Sequence, residues 1–239
     1  MDKFLNQIIC GDCLEVMREL PDGCIDLVVT DPPYLIEYKT NRRKDKEHEF
    51  CSTIQNDNNP ELIKNYIAEC HRIMKDNTAI YMFCSFDKVD FFKQELEKYF
   101  TIKNMIVWVK NSHTAGDLEA QFGKQYELIF LANKGRTPFY GKRITDVWDF
   151  RRIVGEQQVH QNQKPEHLIA QCITKHSLER QVVFDGFLGS GTTAVACMNT
   201  NRFFIGIEKE PKYCEIARKR LEQAQLQQTL FGGDDLCNN

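Results

Sequence analysis

The chain lacks any apolar run that could cross a membrane, because a span needs about 18 consecutive apolar residues and none occurs among its 239 residues. The start, Met1-Asp2-Lys3, leads directly into mixed polar sequence without the apolar core of a signal peptide. The ten cysteines are scattered and do not have the density of a disulfide framework. These absences favour a cytoplasmic protein with reduced thiols.

The chain also lacks an excess of positive charge: its net charge is −3 and its pI about 6.1. A protein that coats polyanions along its whole surface is therefore excluded, and any contact with nucleic acid has to be local. Two basic segments, residues 39–46 and 134–152, are candidates for such a contact or are ordinary solvated loops. Their basic residues are Lys39, Arg42, Arg43, Lys44 and Lys46 in the first, and Lys134, Arg136, Lys142, Arg143, Arg151 and Arg152 in the second.

Metal-ligand spacing is missing as well. Cys10 and Cys13 form a C-x-x-C pair, but no second pair stands at zinc spacing and the six histidines are dispersed. We expect no metal site.

Strand-length apolar runs alternate with helix-period segments along the whole chain, which predicts one doubly wound α/β domain over residues 1–239. Helices are predicted to begin at Pro60, at Asp87 (with Val89, Phe92, Leu96 and Tyr99 buried), and at Pro165, Thr192 and Pro211. Strands are predicted at 25–30, 79–84, 102–109, 127–132, 181–184 and 202–207. No period runs for long between residues 133 and 163, so this stretch is predicted to be a functional loop. The tail 232–239 is predicted to be flexible.

The most informative short motif is Asp31-Pro32-Pro33-Tyr34, directly after the apolar run 25–30. Two prolines remove two backbone donors, so the Asp31 carboxylate and nearby carbonyls remain acceptors without competing N–H groups. Such a lining fits an exocyclic amine on a planar ring, and Tyr34 can stack on that ring. An ordinary Pro-Pro turn beside a tyrosine is the alternative reading.

A second motif joins a predicted strand to a predicted helix: Asp185-Gly186-Phe187-Leu188-Gly189-Ser190-Gly191-Thr192-Thr193. Glycines there let the backbone approach a ligand closely at a helix N-terminus. The turn lacks the Gly-Lys-Ser/Thr ending of a P-loop and the G-x-G-x-x-G spacing of dinucleotide sites. Glu208 ends the next predicted strand, where a carboxylate can accept both hydroxyls of a ribose.

Together the two motifs strongly resemble those of the amino-methylating DNA methyltransferases that use S-adenosylmethionine. The tetrapeptide precedes the glycine turn, which resembles the permuted β group of that family, with the recognition region between the motifs. Gly186 stands where proline is common in the family. Further similar segments are Gly11-Asp12-Cys13-Leu14, Trp108-Val109-Lys110, Tyr126-Glu127, Trp148-Asp149-Phe150 and His160-Gln161-Asn162-Gln163-Lys164-Pro165, the last departing from the usual pattern at two positions.

The resemblance implies a seven-stranded, mostly parallel Rossmann-like sheet with a final antiparallel hairpin, in which strand 7–10 lies beside the strand at 203–207. It implies that Asp12 binds the cofactor's adenine amino group, Glu208 its ribose, and Asp185 with the glycine turn its methionine part. Lys164, aided by Gln163 and Thr192 or Thr193, is expected to face the methionine carboxylate. The full implied cofactor set is Asp12, Cys13, Asp31, Gln163, Lys164, Asp185, Phe187, Gly189, Ser190, Gly191, Thr192, Thr193 and Glu208.

The resemblance further implies methylation of double-stranded DNA at adenine N6, with catalytic residues Asp31, Pro32, Pro33 and Tyr34. Adenine is favoured because permuted cytosine enzymes more often carry serine at the position of Asp31. Recognition is expected from segments 36–56 and 111–160, with phosphate contacts from Lys39, Arg42, Arg43, Lys44, Lys142, Arg143, Arg151 and Arg152.

The alternative targets are cytosine N4, RNA and a protein amide. A non-catalytic binding module is disfavoured because both motifs are intact. A bacterial or phage origin is expected. A homodimer and a cognate restriction endonuclease stay open as partners.

Overall fold

The computed structural model describes residues 1–35, 58–113, 117–153 and 163–231. The first predicted basic segment, the predicted recognition segment 36–56 and the predicted flexible tail lie outside the described residues. Residues 114–116 and 154–160 of the second recognition segment, 111–160, lie outside them too, as do residues 161–162.

The core element is an eight-stranded sheet of order β1-β8-β7-β2-β3-β5-β4-β6. Its strands are β1 (Gln7–Cys10), β2 (Ile25–Thr30), β3 (Met74–Cys84), β4 (Thr101–Val109), β5 (Tyr126–Lys134), β6 (Val147–Asp149), β7 (Val182–Asp185) and β8 (Phe203–Glu208). Neighbouring strands pair in parallel except that β5 runs antiparallel to both β3 and β4. The predicted fold class is therefore confirmed. So is the predicted neighbour of the first strand, because Gln7 pairs with Ile205 and Cys10 with Glu208.

The described helices are α1 (Cys13–Glu19), α2 (Pro60–Ile73), α3 (Val89–Glu97), α4 (Glu166–His176), α5 (Thr192–Asn199) and α6 (Pro211–Phe231). They cover both faces of the sheet. Val28 of β2 belongs to the core layer shared with α1, α2 and α3, whereas Leu27 and Val29 belong to the layer shared with α4 and α5. This alternation along a strand buried on both faces is expected of a doubly wound sheet.

The sequence signals of α2 are realised as predicted. The Asn59 side chain accepts a hydrogen bond from the Leu62 N–H at 3.1 Å, and Pro60 occupies the first turn. These are a cap and a proline in their favoured places. The buried face includes Ile63, Tyr66 and Ile67, so α2 is held by packing as well as by its cap.

Three details differ from the sequence prediction. The strand count is eight because β6 forms within the stretch predicted to be irregular, where three residues are too few to show a period. The helix α1 was not predicted; it has seven residues and begins after the Asp12 cap. Ser85, not Asp87, caps a 3₁₀ turn before α3, and Tyr99 is 42% exposed because α3 ends at Glu97.

The carboxyl ends of β2 and β7 lie side by side, with Leu27 paired to Val183 and Val28 to Phe184. The strand order runs outward from this pair in both directions. It is thus the switch point of the sheet, where open α/β folds form their ligand crevice. No helix among the described residues combines the length and apolarity needed to span a membrane.

Candidate active site

The tetrapeptide begins where β2 leaves the core. All six residues of β2 are buried, and Asp31 follows with its side chain 26% exposed. The Tyr34 hydroxyl turns back and donates a hydrogen bond to Asp31 Oδ1. A buried strand therefore delivers a carboxylate, two prolines and an aromatic ring to the rim of the crevice.

Lys164, two residues before the start of α4, reaches this carboxylate. Its Nζ lies 2.7 Å from Asp31 Oδ2, 3.0 Å from Glu127 Oε2 and 3.2 Å from the Tyr34 hydroxyl. An ammonium has three donors, and these three partners match them. The predicted contact of Lys164 with a cofactor carboxylate stays a prediction, and its described partners are Asp31 and Tyr34 of the tetrapeptide together with Glu127.

Glu127 and Lys110 complete the charged group, which we call the tetrapeptide cluster: Asp31, Tyr34, Lys110, Glu127 and Lys164. Glu127 is the second residue of β5, and Lys110 follows the end of β4. Lys110 Nζ donates to Glu127 Oε1, while the other oxygen of Glu127 faces Lys164. No site role was predicted for either residue; the only signal was that both stand in segments similar to the family.

Burial and charge act in opposite directions on these groups. Burial raises the pKa of Asp31, and Lys164 opposes that rise. Burial would also raise the pKa of Glu127, but Lys164 and Lys110 together lower it from 4.5 to about 2. Burial and the Asp31 charge raise the pKa of Tyr34 well above its usual value. At neutral pH, Glu127 is therefore an anion and Tyr34 a neutral donor.

Tyr66 of α2 joins the tetrapeptide to the glycine turn. Its buried hydroxyl lies 2.8 Å from Thr30 Oγ1, next to Asp31, and accepts a hydrogen bond from the Gly186 N–H at 3.1 Å. A Cβ at Gly186 would come within 2.4 Å of the Tyr66 ring. A proline here, the residue common in the family, would lack the N–H and need that space. Tyr66 was predicted only as an apolar helix position, so this linking role was missed.

The glycine turn lies at the end of β7. Asp185 accepts hydrogen bonds from Thr193 Oγ1 at 2.6 Å and from the Phe187 N–H at 3.1 Å. Burial raises the pKa of Asp185 to about 7. Gly189 and Gly191 adopt φ values of +55° and +87°, the left-handed region that favours glycine.

Arg220 of α6 braces the same turn. Its guanidinium donates to the Ser190 carbonyl oxygen at 2.7 Å, to Ser190 Oγ at 3.0 Å and to Glu166 at 2.8 Å. It also lies 3.3 Å from Thr192 Oγ1. The side chains of Ser190 and Thr192 thus face Arg220. No sequence pattern marked Arg220, because an arginine on an exposed-looking helix carries no local signal.

Glu208 ends the neighbouring strand β8, and Asp12 follows β1, the strand beyond it. Glu208 accepts from the Gly189 N–H and the Glu210 N–H, each at 2.8 Å, which points its carboxylate across the turn. Asp12 caps α1 through the Leu14 N–H at 3.0 Å. Cys13 begins α1 and is buried. The structure therefore brings the predicted adenine, ribose and methionine contacts to one edge, over β1, β8 and β7.

This edge has the chemistry that S-adenosylmethionine requires. At Gly189, no described atom lies within 4 Å of the position that a Cβ would take, so the backbone there borders open space. Carboxylates of Asp12, Glu208 and Asp185 offer acceptors in a row, and α5 begins at the end of the row. Acceptors suit amino and hydroxyl groups, and a helix N-terminus suits a carboxylate. Gln163 is buried beside Lys164 in sequence.

Of the predicted phosphate contacts, the four that lie within the described residues are divided between the two ends of the sheet, and Lys39, Arg42, Arg43 and Lys44 lie outside them. β6 runs parallel to β4, so Arg151 and Arg152 follow it at the crevice end, where the Arg152 N–H donates to Asn111 Oδ1. Lys142 lies at the opposite end, where its carbonyl oxygen accepts from Lys175 in the last turn of α4. Arg143 is its exposed neighbour. The geometry favours Arg151 and Arg152 as the pair beside the site.

Comparison with known proteins identifies the family of the chain. The sequence model of the DNA methylase family (N6/N4) matches residues 25–219 of the chain. The chain is 28% identical over 256 residues to the type II methyltransferase M.HinfI of Haemophilus influenzae, covering 93% of this chain and 70% of that protein. It is 30% identical over 252 residues to the DNA adenine methyltransferase YhdJ of Escherichia coli (strain K12), covering 91% and 83%. The crystal structure of an M1.HpyAVI–SAM complex superposes with a TM-score of 0.68 at 25% identity, covering 90% of this chain and 98% of that one.

Proposed function

Because this chain belongs to the DNA methylase family, whose members methylate amino groups of DNA bases, we propose that it transfers a methyl group from S-adenosylmethionine to adenine N6 in double-stranded DNA. The observation that carries this proposal is the pairing of β2 with β7 at the switch point. It sets the acceptors of the tetrapeptide beside the cradle of the glycine turn. A planar amine and the cofactor can meet between them.

The residues of the tetrapeptide aim the target nitrogen. Asp31 Oδ1 and Oδ2 each already accept one hydrogen bond, from Tyr34 and Lys164. Each carboxylate oxygen can accept a second. Asp31 and the Pro32 carbonyl oxygen can therefore hold the two N–H bonds of an amine. This grip draws the nitrogen toward tetrahedral geometry and turns its lone pair toward the cofactor edge.

When bound, S-adenosylmethionine supplies a methyl carbon that is already electrophilic, because it is attached to a sulfonium that departs as a neutral thioether. The protein therefore needs no metal for this step. The amine loses one proton in the reaction, and the Asp31 carboxylate is the acceptor positioned to take it. The residues proposed to hold the cofactor are Asp31, Gln163 and Lys164 together with those at the edge of β1, β8 and β7: Asp12, Cys13, Asp185, Phe187, Gly189, Ser190, Gly191, Thr192, Thr193 and Glu208.

A base paired within a duplex cannot reach the crevice, so the mechanism requires the target to leave the helix. The Tyr34 ring offers a stacking surface for the flipped base, and Lys164 Nζ lies 5.6 Å from the ring centroid. Adenine is proposed over cytosine because Asp31 stands in the tetrapeptide. The 30% identity to a relative named as an adenine methyltransferase gives further support.

The experiment that tests this function compares wild type with Asp31→Ala. We expect S-adenosylmethionine to bind the variant within about threefold of wild type, a difference under about 1 kcal/mol, while methyl transfer to DNA is lost. The matched control is Asp87→Ala, which removes an exposed carboxylate paired with Lys124. Full activity of Asp31→Ala, with the fold retained by circular dichroism, would contradict the proposal.

We propose two partners for this protein: a second copy of the chain and a cognate restriction endonuclease. Analytical ultracentrifugation tests the first. Protection of methylated DNA against an endonuclease encoded beside this protein tests the second.

A further inference from the structure

The tetrapeptide cluster contains two charged residues that the proposed reaction does not use, Glu127 and Lys110. Glu127 lies on β5 and Lys110 directly follows the end of the neighbouring antiparallel strand β4, where Trp108 pairs with Glu127 and Val109 with Tyr126. The side chain of Lys110 is 12% exposed and that of Glu127 is 21% exposed. Two largely buried charges so close to Asp31 influence its charge and its strength as a hydrogen-bond acceptor.

The ion pairs of the cluster form a linear order: Lys110, Glu127, Lys164, Asp31. Each inner residue is shared by two neighbours of opposite sign, since Glu127 faces both lysines and Lys164 faces both carboxylates. The four charges sum to zero. The titratable groups that face Asp31 from the adjoining elements are Tyr34, Cys84, Glu127, Lys164 and Asp185, and Lys110 is linked to it through Glu127.

Sharing has a direct consequence for Asp31. If Glu127 were neutral, Asp31 alone would balance the ammonium of Lys164. The stronger pairing would make the Asp31 carboxylate a weaker hydrogen-bond acceptor for the target amine. If Lys110 were neutral, the charge of Glu127 would no longer be balanced and would repel Asp31. Interactions between buried charges are stronger than in water and respond to the loss of one partner.

We propose that Glu127, backed by Lys110, is a positioning residue: it takes a share of Lys164, so that Asp31 keeps its full strength as a hydrogen-bond acceptor for the target amine, while Lys110 balances Glu127 so that Asp31 stays ionised. This inference rests on the proposed function of Asp31. It adds that charge balance across four residues from four separate segments, one within β5 and three beside the ends of β2, β4 and α4, sets the strength of that acceptor.

The test uses Glu127→Gln, Lys110→Met and the double variant. Loss of the Glu127 charge leaves a net positive cluster, so Asp31 should titrate at lower pH than in wild type. Loss of the Lys110 charge leaves a net negative cluster, so Asp31 should titrate at higher pH. The double variant restores neutrality and should return the titration toward wild type. A residue that only supports the fold would not move the titration in opposite directions.

Two readouts are measured. The first is the pH titration of the Asp31 carboxyl carbon by NMR, assigned against Asp31→Asn, which requires no DNA and no turnover. The second is the single-turnover methylation rate, with the dissociation constant of S-adenosylmethionine measured beside it. We expect Glu127→Gln to lower the rate about tenfold, equivalent to one charge-assisted hydrogen bond, with cofactor affinity nearly unchanged. Asp87→Asn is the matched control, because its partner Lys124 lies outside the cluster.

Opposite shifts of the Asp31 titration, reversed in the double variant, support the inference even if the wild type methylates no DNA, in which case the proposed function alone fails. Equal or absent shifts overturn the inference while leaving the proposed function in place. A rate that falls in Glu127→Gln only in step with cofactor affinity also overturns it.

Discussion

Replacing Gly186 with alanine is expected to destabilise the protein strongly through Tyr66. An added Cβ would lie 2.4 Å from Tyr66 Cε2 and 2.7 Å from the Tyr66 hydroxyl oxygen. Tyr66 of α2 is fully buried, so its ring cannot move away without displacing the side chains packed around it. It would have to shift, and the 3.1 Å hydrogen bond from the Gly186 N–H would break.

The expected loss of stability is about 4 kcal/mol. Overpacking a dense core costs about 1–3 kcal/mol, and a buried N–H without a partner costs about 1–3 kcal/mol. This is a large part of the roughly 5–15 kcal/mol that holds a domain of this kind folded. Urea unfolding followed by tryptophan fluorescence measures it.

Gly11→Ala is the matched control, because a Cβ there meets only Val16 Cγ2, at an ordinary 3.8 Å. We expect it to change stability by less than about 0.5 kcal/mol. In a Tyr66→Leu background the cost of Gly186→Ala should fall, since the clashing ring is gone. An equal cost for Gly186→Ala and Gly11→Ala, or an undiminished cost in the Tyr66→Leu background, would show that the Tyr66 ring is not the cause.

Three further predictions concern the charged residues of the site. Lys164→Met removes the group that opposes the effect of burial on Asp31, so the acid limb of the methylation rate should move to higher pH, and the rate at neutral pH should fall about tenfold or more. Charge reversal of Arg151 and Arg152 should weaken DNA binding and lower the slope of log K against log salt by about one for each phosphate that is no longer neutralised, measured by fluorescence anisotropy. Because the pKa of Glu127 is lowered from 4.5 to about 2, its contribution to stability is present above pH 4.5 and disappears as the pH falls toward 2, and Glu127→Gln should flatten acid unfolding in that window.

Each of these has its own control. For the DNA contacts it is charge reversal of Lys142 and Arg143, which lie at the other end of the sheet and should leave the salt dependence near that of wild type. For Lys164 it is the dissociation constant of S-adenosylmethionine: a loss of affinity as large as the loss of rate would favour the predicted cofactor contact over the described contact with Asp31. For Glu127, identical acid unfolding of Glu127→Gln and wild type would contradict the lowered pKa.

The sequence predicted the fold well wherever a signal was local. Asn59 and Pro60 mark the start of α2, and the apolar face that follows is buried as expected. The order of the two motifs implied the permuted sheet, and the pairing of β1 with β8 agrees. The short elements α1 and β6 were missed because seven and three residues carry too few periods to be distinguished from loops.

The sequence predicted the two motifs of the site but not the side-chain contacts that join them. Tyr66 reads as one more apolar position of a helix, and nothing in its neighbours shows that its hydroxyl meets a glycine 120 residues away. Lys164 was assigned to the cofactor by resemblance, yet its described partners are Asp31 and Glu127. Contacts between segments that are distant in sequence depend on the tertiary structure, and neither amino-acid composition nor hydrophobic periodicity predicts them.

The activity proposed for this protein is methyl transfer to an amino group of a DNA base, with adenine N6 as the target. The direct test incubates the pure protein with isotopically labelled S-adenosylmethionine and unmethylated genomic DNA, digests the DNA to nucleosides and identifies the labelled nucleoside by mass spectrometry. We expect labelled N6-methyladenine, which should be absent with Asp31→Ala. Labelled N4-methylcytosine would contradict the target, and unlabelled DNA from a protein that binds the cofactor would contradict the proposed activity itself.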